Sequence, residues 1–325
     1  MNTITTNYQA PRIVFMGTPD FATASLEALI AAGMDVVAVV TVPDKPAGRG
    51  QKLHESAVKK LAQSLKIPVL QPEKLKNPSF LSELSGFKAD LFVVVAFRML
   101  PEVVWNMPPL GTINLHASLL PQYRGAAPIN HAIINGETMT GVTTFQLQHE
   151  IDTGAILHQE KVAIEEDMSA GELHDQLMRV GSALIVKTVQ DLINGTVQAK
   201  PQSEISADSP RKEAPKLTKE DGRIHWDQSA DTIHNHIRGL SPYPGAYTVL
   251  DSKILKVYQT QKLFDLEKAT TGTLATDGKS YVRIATQDGW IGLNHVQLEG
   301  KKRMSIEEFL RGYKIQSTHI NLNAL

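Results

Sequence analysis

The chain has 325 residues, 42% hydrophobic and 21% charged, with a formal net charge of -1. That length suits two domains, each able to bury its own core, and the near-neutral balance names no partner by itself. Cysteine is absent, which excludes disulfides, thiolate metal sites and a cysteine nucleophile. The opening MNTITTNYQAPRIVFMG has no basic stretch leading into an apolar one, and no apolar run approaches the roughly 20 residues of a membrane helix, so a cytoplasmic protein is expected.

In chain order, RIVFMG (12–17), DVVAVVTV (35–42), ADLFVVVA (89–96) and GTINLH (111–116) are apolar runs bounded by turn residues. Apolar on both faces, they read as buried strands of a parallel sheet. Between the first two, DFATASLEALIAAG sets Phe21, Leu26, Leu29 and Ile30 at helical spacing and stops at Gly33, giving a strand–helix–strand unit. AVKKLAQSLK and IPVL repeat the pattern, GVTTFQL and AILHQEKVAI add two more strands, and residues 169–194 form a long amphipathic helix. The expectation is an α/β domain with a Rossmann-like, doubly wound, mostly parallel sheet.

From residue 195 to 215 the text becomes polar, with three prolines and no apolar period, which suits a linker. The predicted organisation is a first domain over 1–200, a linker over 201–214 and a second domain over 215–325. Past the linker a helix over 229–240 precedes the short alternating runs AYTVL, ILKVYQT, GTLAT, YVRIAT and WIGLNHVQL, the rhythm of a small β-barrel or sandwich. This second part is mildly basic.

Three places carry candidate chemistry. The first strand–helix turn, GTPDF, lacks the G-x-G-x-x-G through which a dinucleotide pyrophosphate approaches the backbone, so Gly17 is read as a tight turn. The loop PDKPAGRGQKLHES brings Lys45, Arg49 and Lys52 to the carboxyl edge of the predicted sheet, where such cations suit phosphate contacts. Asn114 and His116 are two apart on one strand and therefore share a face, and Asp152 sits in a turn between two later strands. Asn supplies a neutral donor for an oxyanion, His moves a proton near neutral pH, and Asp orients or charges the imidazole. Together they form an acyl-transfer set without a covalent nucleophile, because Ser118 lacks the G-x-S-x-G elbow. Arg124 and Gly125 are read as shaping the turn into the next helix. The single D-T-G does not make an aspartic protease, which needs two carboxylates. His234 and His236, two apart on a predicted helix, point to different faces and are not read as metal ligands.

The motifs FMGTPDFA, PDKPAGRGQK, VVVAF, INLHASLLPQYRGAAPI and IDTG together resemble the methionyl-tRNA formyltransferases, across nearly the whole chain. That resemblance implies formyl transfer from 10-formyltetrahydrofolate to the amine of initiator methionyl-tRNA. It implies catalytic roles for Asn114, His116 and Asp152, folate contacts at Ser118, Leu119, Leu120 and Pro121, and tRNA contacts at Lys45, Arg49 and Lys52 and in the basic GKKRM segment, at Lys301, Lys302 and Arg303. It further implies an OB-like second domain, no metal, no membrane, and a simple monomer. A sugar-amine formyltransferase, a folate hydrolase and a nonenzymatic RNA-binding barrel are the rival readings. One departure stands out: Phe97 and Arg98 occupy the place where the family usually has Tyr-Gly. Arg98 is expected either to alter cofactor contacts or to point to solvent.

Overall fold

The computed structural model describes residues 11–47, 52–205 and 210–320. Its elements begin with β1 (Arg12–Gly17), α1 (Asp20–Ala31), β2 (Asp35–Val40), β3 (Lys45–Ala47), β4 (Lys52–His54), α2 (Ala57–Ser64), β5 (Val69–Leu70), α3 (Pro78–Gly86), β6 (Leu91–Val95) and α4 (Glu102–Trp105). They continue with β7 (Thr112–His116), β8 (Arg124–Gly125), α5 (Pro128–Ile134), β9 (Met139–Gln146), β10 (Ile156–Ala163) and α6 (Ala170–Ile193). The chain divides into two compact units that interleave in sequence. One holds the described residues up to Arg124, Gly141–Val162 and Asp175–Arg211; the other holds Gly125–Thr140, Ala163–His174 and the described residues from Lys212 onward.

The first unit is organised on a seven-stranded sheet in the order β10-β9-β7-β6-β1-β2-β5. β1 runs parallel to β2 and β6, β2 to β5, and β6 to β7, whereas β9 is antiparallel to β7. The four apolar runs are therefore parallel strands, as their two-sided hydrophobicity predicts, and every side chain of β6 is buried. Val14, Met16, Val40, Phe92 and Val94 lie in one core cluster. Gly17 is the residue that the β1–α1 turn requires: a Cβ there would lie 2.7 Å from that of Ala22 and 2.8 Å from the Phe15 ring. α1 ends where Gly33 takes φ +74, a conformation glycine adopts without penalty. The N-cap of α2 is Ser56, whose hydroxyl accepts from the Lys59 amide.

The described residues of the basic loop include two short strands. β3 and β4 pair antiparallel, Lys45 opposite His54 and Ala47 opposite Lys52, and Arg49 at their connection lies outside the described residues. At the base of the hairpin, Asp44 bonds Lys59 and accepts from Gln71 Nε2 at 2.8 Å. Lys59 also pairs with Glu55 at 2.9 Å.

The described residues that lead into the segment read as a linker are anchored to the first unit. Lys200 exchanges backbone hydrogen bonds with Ile156, each 2.8 Å, and Gln202 opens a 3₁₀ turn with its side chain buried.

The second unit continues with β11 (Glu213–Ala214), α7 (Ala230–Gly239), β12 (Ala246–Leu250), β13 (Lys253–Leu263), β14 (Leu274–Thr276), β15 (Val282–Ala285), β16 (Trp290–Leu298), β17 (Met304–Ser305) and α8 (Ile306–Gly312). Five strands form one antiparallel path, β12-β13-β16-β15-β14, with β17 added antiparallel beside β16. All five alternating runs of the sequence are these strands. Trp226, Ile233, Ile237, Val257, Ile284, Ile291 and Phe309 form the core, and Trp226 Nε1 donates to Thr248 Oγ1 at 3.0 Å. α5 joins this unit by close approach to α7, where Asn130 Nδ2 donates to Gly239 O at 2.7 Å and a Cβ on Gly239 would meet Ile134 at 2.6 Å.

Candidate active site

β7 carries Asn114 and His116 on one face while Ile113 and Leu115 turn to the other. Leu115 packs so tightly on α6 that a Cβ at Gly181 would come within 2.8 Å of it. This burial locks the register of β7, and a one-residue slip would send both polar side chains into the apolar face. His116 is the last residue of the strand, opposite Thr143 of β9, and Asn114 is opposite Phe145. The half-buried Asn114 amide makes no hydrogen bond among the described residues, so its donors remain available to a ligand.

The imidazole of His116 is buried and bonded through Nε2 to the Tyr123 carbonyl at 2.8 Å. A carbonyl only accepts, so Nε2 holds a proton and Nδ1 is the nitrogen turned to the rest of the site. Nδ1 faces Asp152 Oδ2 at 3.8 Å, an ion-pair distance longer than a hydrogen bond. Asn114, His116 and Asp152 thus come from two places 36 or more residues apart in sequence, and His116 and Asp152 meet in space.

Asp152 is held in an unusual conformation, φ +54, and its side chain is buried. Left-handed backbone is costly for residues with a Cβ, although Asp tolerates it better than most, so the turn needs outside support. Gln202 supplies it: Nε2 donates to the carbonyls of Asp152 and Gly154, both at 2.9 Å. Its Oε1 accepts from Arg124 Nε at 3.1 Å and Nη2 at 2.5 Å. Gly154 completes the turn, since a Cβ there would stand 1.7 Å from Gln146 O. Sequence reasoning misses Gln202, seeing only a polar linker, and it assigns Arg124 to a turn alone. No spacing rule connects a linker glutamine to a turn 50 residues earlier.

Residues 118–121 form a turn tied to the following residue and to β9 and β10. Ser118 Oγ donates to Gln122 O at 2.6 Å, Thr143 Oγ1 donates to Ser118 O at 2.6 Å, and Gln159 Nε2 reaches Leu120 O at 2.9 Å. Leu120 packs with Phe145 and Ile156. Ser118 and Leu120 are buried and Leu119 is half-buried, so what this segment offers a ligand is chiefly turn shape and backbone. The engaged hydroxyl of Ser118 also fits its exclusion as a nucleophile. Arg98 is not left to solvent: its guanidinium donates to the carbonyls of Glu73, at 2.9 Å, and Pro72, and lies 5.6 Å from the Phe97 ring centroid. It ties two loops together, and burial lowers its pKa from the ordinary arginine value.

Of the basic groups, Lys45 is exposed on β3 and Lys52 lies on β4 in the first unit. Lys301, Lys302 and Arg303 are exposed in the second unit, just before β17, with the Arg303 guanidinium 4.6 Å from the Tyr258 ring centroid. His234 bonds Thr260 through Nδ1 at 2.9 Å and pairs with Asp167 at 3.1 Å through Nε2. No cluster of three or more metal-ligating side chains occurs among the described residues, and no described helix is long and apolar enough to cross a membrane.

The chain that carries this mostly parallel sheet, its Asn-x-His strand and the buried Asp beside the histidine is matched by family profiles to the formyl transferases. The profile described as "Formyl transferase" matches residues 11–189, and "Formyl transferase, C-terminal domain" matches 216–314. Among solved structures, HypX from Aquifex aeolicus in complex with tetrahydrofolic acid has a TM-score of 0.64 at 19% identity, covering 94% of this chain and 49% of that one. WlaRD, a sugar 3N-formyl transferase, also has a TM-score of 0.64, at 20% identity over 90% of this chain and 100% of its own; at these identities the likeness is one of fold. The methionyl-tRNA formyltransferase of Parabacteroides distasonis is 54% identical over 93% of this chain and 96% of its own length. That of Bacteroides thetaiotaomicron is 49% identical over 94% and 96%. The chain belongs to the methionyl-tRNA formyltransferase family.

Proposed function

We propose that the protein formylates initiator methionyl-tRNA at the Asn114–His116–Asp152 cluster, taking the formyl group from 10-formyltetrahydrofolate. The observation that carries the site assignment is the buried His116, fixed through Nε2, with Nδ1 turned toward Asp152. The donor supplies an activated formyl carbonyl, and the unpartnered Asn114 amide beside a buried histidine suits it. The substrate amine attacks directly, because the chain has no cysteine and the Ser118 hydroxyl is engaged.

Asn114 donates to the carbonyl oxygen as it becomes an oxyanion, a contribution of about 10²- to 10³-fold for one donor. Protonated or hydrogen-bonding His116 joins Asn114 in holding the oxyanion. Asp152 takes the proton from the attacking nitrogen and stabilises the charged imidazole between transfers. As the oxyanion collapses, the bond from the formyl carbon to N10 of the folate breaks and N10 takes up a proton, so that tetrahydrofolate leaves. Proton transfers of this kind are typically worth about 10²- to 10⁴-fold. An α-amine titrates near about 7.7 to 8.0, and an aminoacyl ester lower, so much of the nucleophile is neutral before it binds and a strong base is unnecessary.

Under the same reading, residues 118–121 frame the folate, the catalytic domain spans 1–200, and residues 215–325 form an OB-like tRNA-binding domain. The single five-strand antiparallel path supports that last assignment. Lys45, Arg49, Lys52, Lys301, Lys302 and Arg303 contact tRNA phosphates, and the enzyme acts in the cytoplasm as a monomer. Incubating the protein with 10-formyltetrahydrofolate and charged initiator tRNA tests the reaction. Formylmethionine on the tRNA is the expected product; formate release without it, or formylation of a sugar amine alone, refutes the reading.

A further inference from the structure

The basic hairpin has no core of its own to fix its direction. Among the described residues β3 and β4 pair only with each other, and Leu53 of β4 is 67% exposed. A two-stranded ribbon that buries no apolar face is marginal by itself, so its orientation is set by whatever grips its base.

The grip comes from the ends of two other strands. Val42 and Asp44 lie in the connection from β2 to β3, and Gln71 follows β5. Gln71 Nε2 donates to Val42 O at 2.9 Å and to Asp44 Oδ1 at 2.8 Å, which uses both protons of its amide. The other carboxylate oxygen of Asp44 takes Lys59 of α2, so the residue immediately before Lys45 is held from two sides. After Gln71 come Pro72 and Glu73, whose carbonyls receive the Arg98 guanidinium, Glu73 O at 2.9 Å. Arg98 itself follows β6. In the sheet order β6-β1-β2-β5 these strands run parallel, so Arg98 and the 71–73 segment leave the same carboxyl edge, with the ends of β1 and β2 between their parent strands. A planar guanidinium donating to two successive carbonyls fixes the direction of the peptide between them, and the Pro72 ring restricts the backbone further.

We propose that Gln71 and Arg98 are positioning residues for the basic hairpin: Arg98 sets the segment that carries Gln71, and Gln71 clamps the connection from which β3 departs. Lys45 and Lys52 are thereby held at a fixed angle to the carboxyl edge of the sheet. Lys59 alone does not suffice for this. An ammonium is a point charge that holds one oxygen of Asp44 and leaves the backbone beside it free to turn, whereas an amide that bridges the Val42 carbonyl and the Asp44 carboxylate fixes both. That the hairpin meets tRNA rests on the reading above; the clamp is a property of the protein alone.

The test pairs a readout of the hairpin with one of the reaction, using the full chain and the variants Gln71→Met and Arg98→Met, which keep an unbranched side chain and remove the donors. In the protein alone, hydrogen–deuterium exchange over residues 52–54 is expected to quicken about fivefold to tenfold in each variant, as the loss of one or two hydrogen bonds requires, with exchange in β6 and β7 unchanged. In steady-state formylation, KM for methionyl-tRNA should rise by a similar factor while kcat and KM for 10-formyltetrahydrofolate stay within about twofold. Arg98→Lys, which keeps a cationic donor for one carbonyl, should restore part of both effects. Because the two residues act in series, Arg98→Met should add little to Gln71→Met. Parental exchange over 52–54 in both single variants overturns the proposal, and so does a loss shared equally by both substrates, which a general loosening of the first unit would produce. Faster exchange in variants of a protein that never formylates methionyl-tRNA refutes the tRNA reading and leaves the clamp standing.

Discussion

Gln202 Nε2 donates to the backbone carbonyl of Asp152 at 2.9 Å, so a residue from a polar connecting segment holds the carboxylate-bearing turn opposite His116. Removing that side chain takes away a donor from two buried carbonyls, those of Asp152 and Gly154, and an acceptor from the Arg124 guanidinium. Gln202→Ala should destabilise the protein by roughly 2–4 kcal/mol and lower kcat more than it raises KM. If Gln202 acts through Asp152, adding Gln202→Ala to Asp152→Asn should cost little further activity. Equal losses in both backgrounds would mark a general folding defect.

Replacing the three polar groups tests the chemistry. Asn114→Ala and His116→Ala should each reduce kcat/KM for formylation by about 10²-fold or more, with circular dichroism unchanged. For the carboxylate, Asp152→Asn is the sharper variant, because Asn keeps the shape and tolerates positive φ. Near-parental turnover by folded Asp152→Asn would remove this residue from the proton path.

Gly154→Ala probes the turn without touching a charge. Its Cβ would sit 1.7 Å from Gln146 O, a backbone atom that cannot rotate away. The expected cost is about 3 kcal/mol, read from the urea midpoint, with formylation falling as the turn shifts Asp152. An unperturbed variant would show that the turn relaxes freely.

The second unit should weaken in mild acid. Burial lowers the pKa values of His234 and His236 below the ordinary histidine value of 6.5. Asp167 opposes the shift at His234, while Arg238 and Lys262 reinforce it; at His236, His225 reinforces the shift, and Asp221 with the backbone of Arg223 and Gly222 opposes it. Below pH 6.5 the unfolded chain takes up protons that the folded histidines refuse, so stability is full above that pH and declines as pH falls toward the folded values. Urea midpoints between pH 8 and 5 should follow this slope, and His236→Gln should flatten it.

The basic hairpin gives a salt-dependent prediction. Arg49→Ala with Lys52→Ala should weaken tRNA binding and make the plot of log K against log salt shallower, by about 0.7–0.9 for each phosphate left unneutralised, while folate binding stays intact. Equal loss of both substrates would indicate disruption of the hairpin, whose base is pinned by Asp44 and Lys59.

The strands around Val14, Val39, Val94 and Ile113 are legible in the sequence because a strand buried on both faces must be continuously apolar. The shared face of Asn114 and His116 follows from the two-residue period of any strand. The arrival of Asp152 can be suspected only from residue chemistry and family resemblance, since nothing local says which strands become neighbours. Tertiary structure decides the rest: that β9 pairs antiparallel to β7 and sets Thr143 against His116, that Arg98 turns to the carbonyls of Pro72 and Glu73, and that Gln202 closes on the Asp152 turn. Local sequence encodes backbone preference and the pattern of burial. Which polar group meets which across dozens of residues is settled only when the core has packed and each buried donor must find an acceptor.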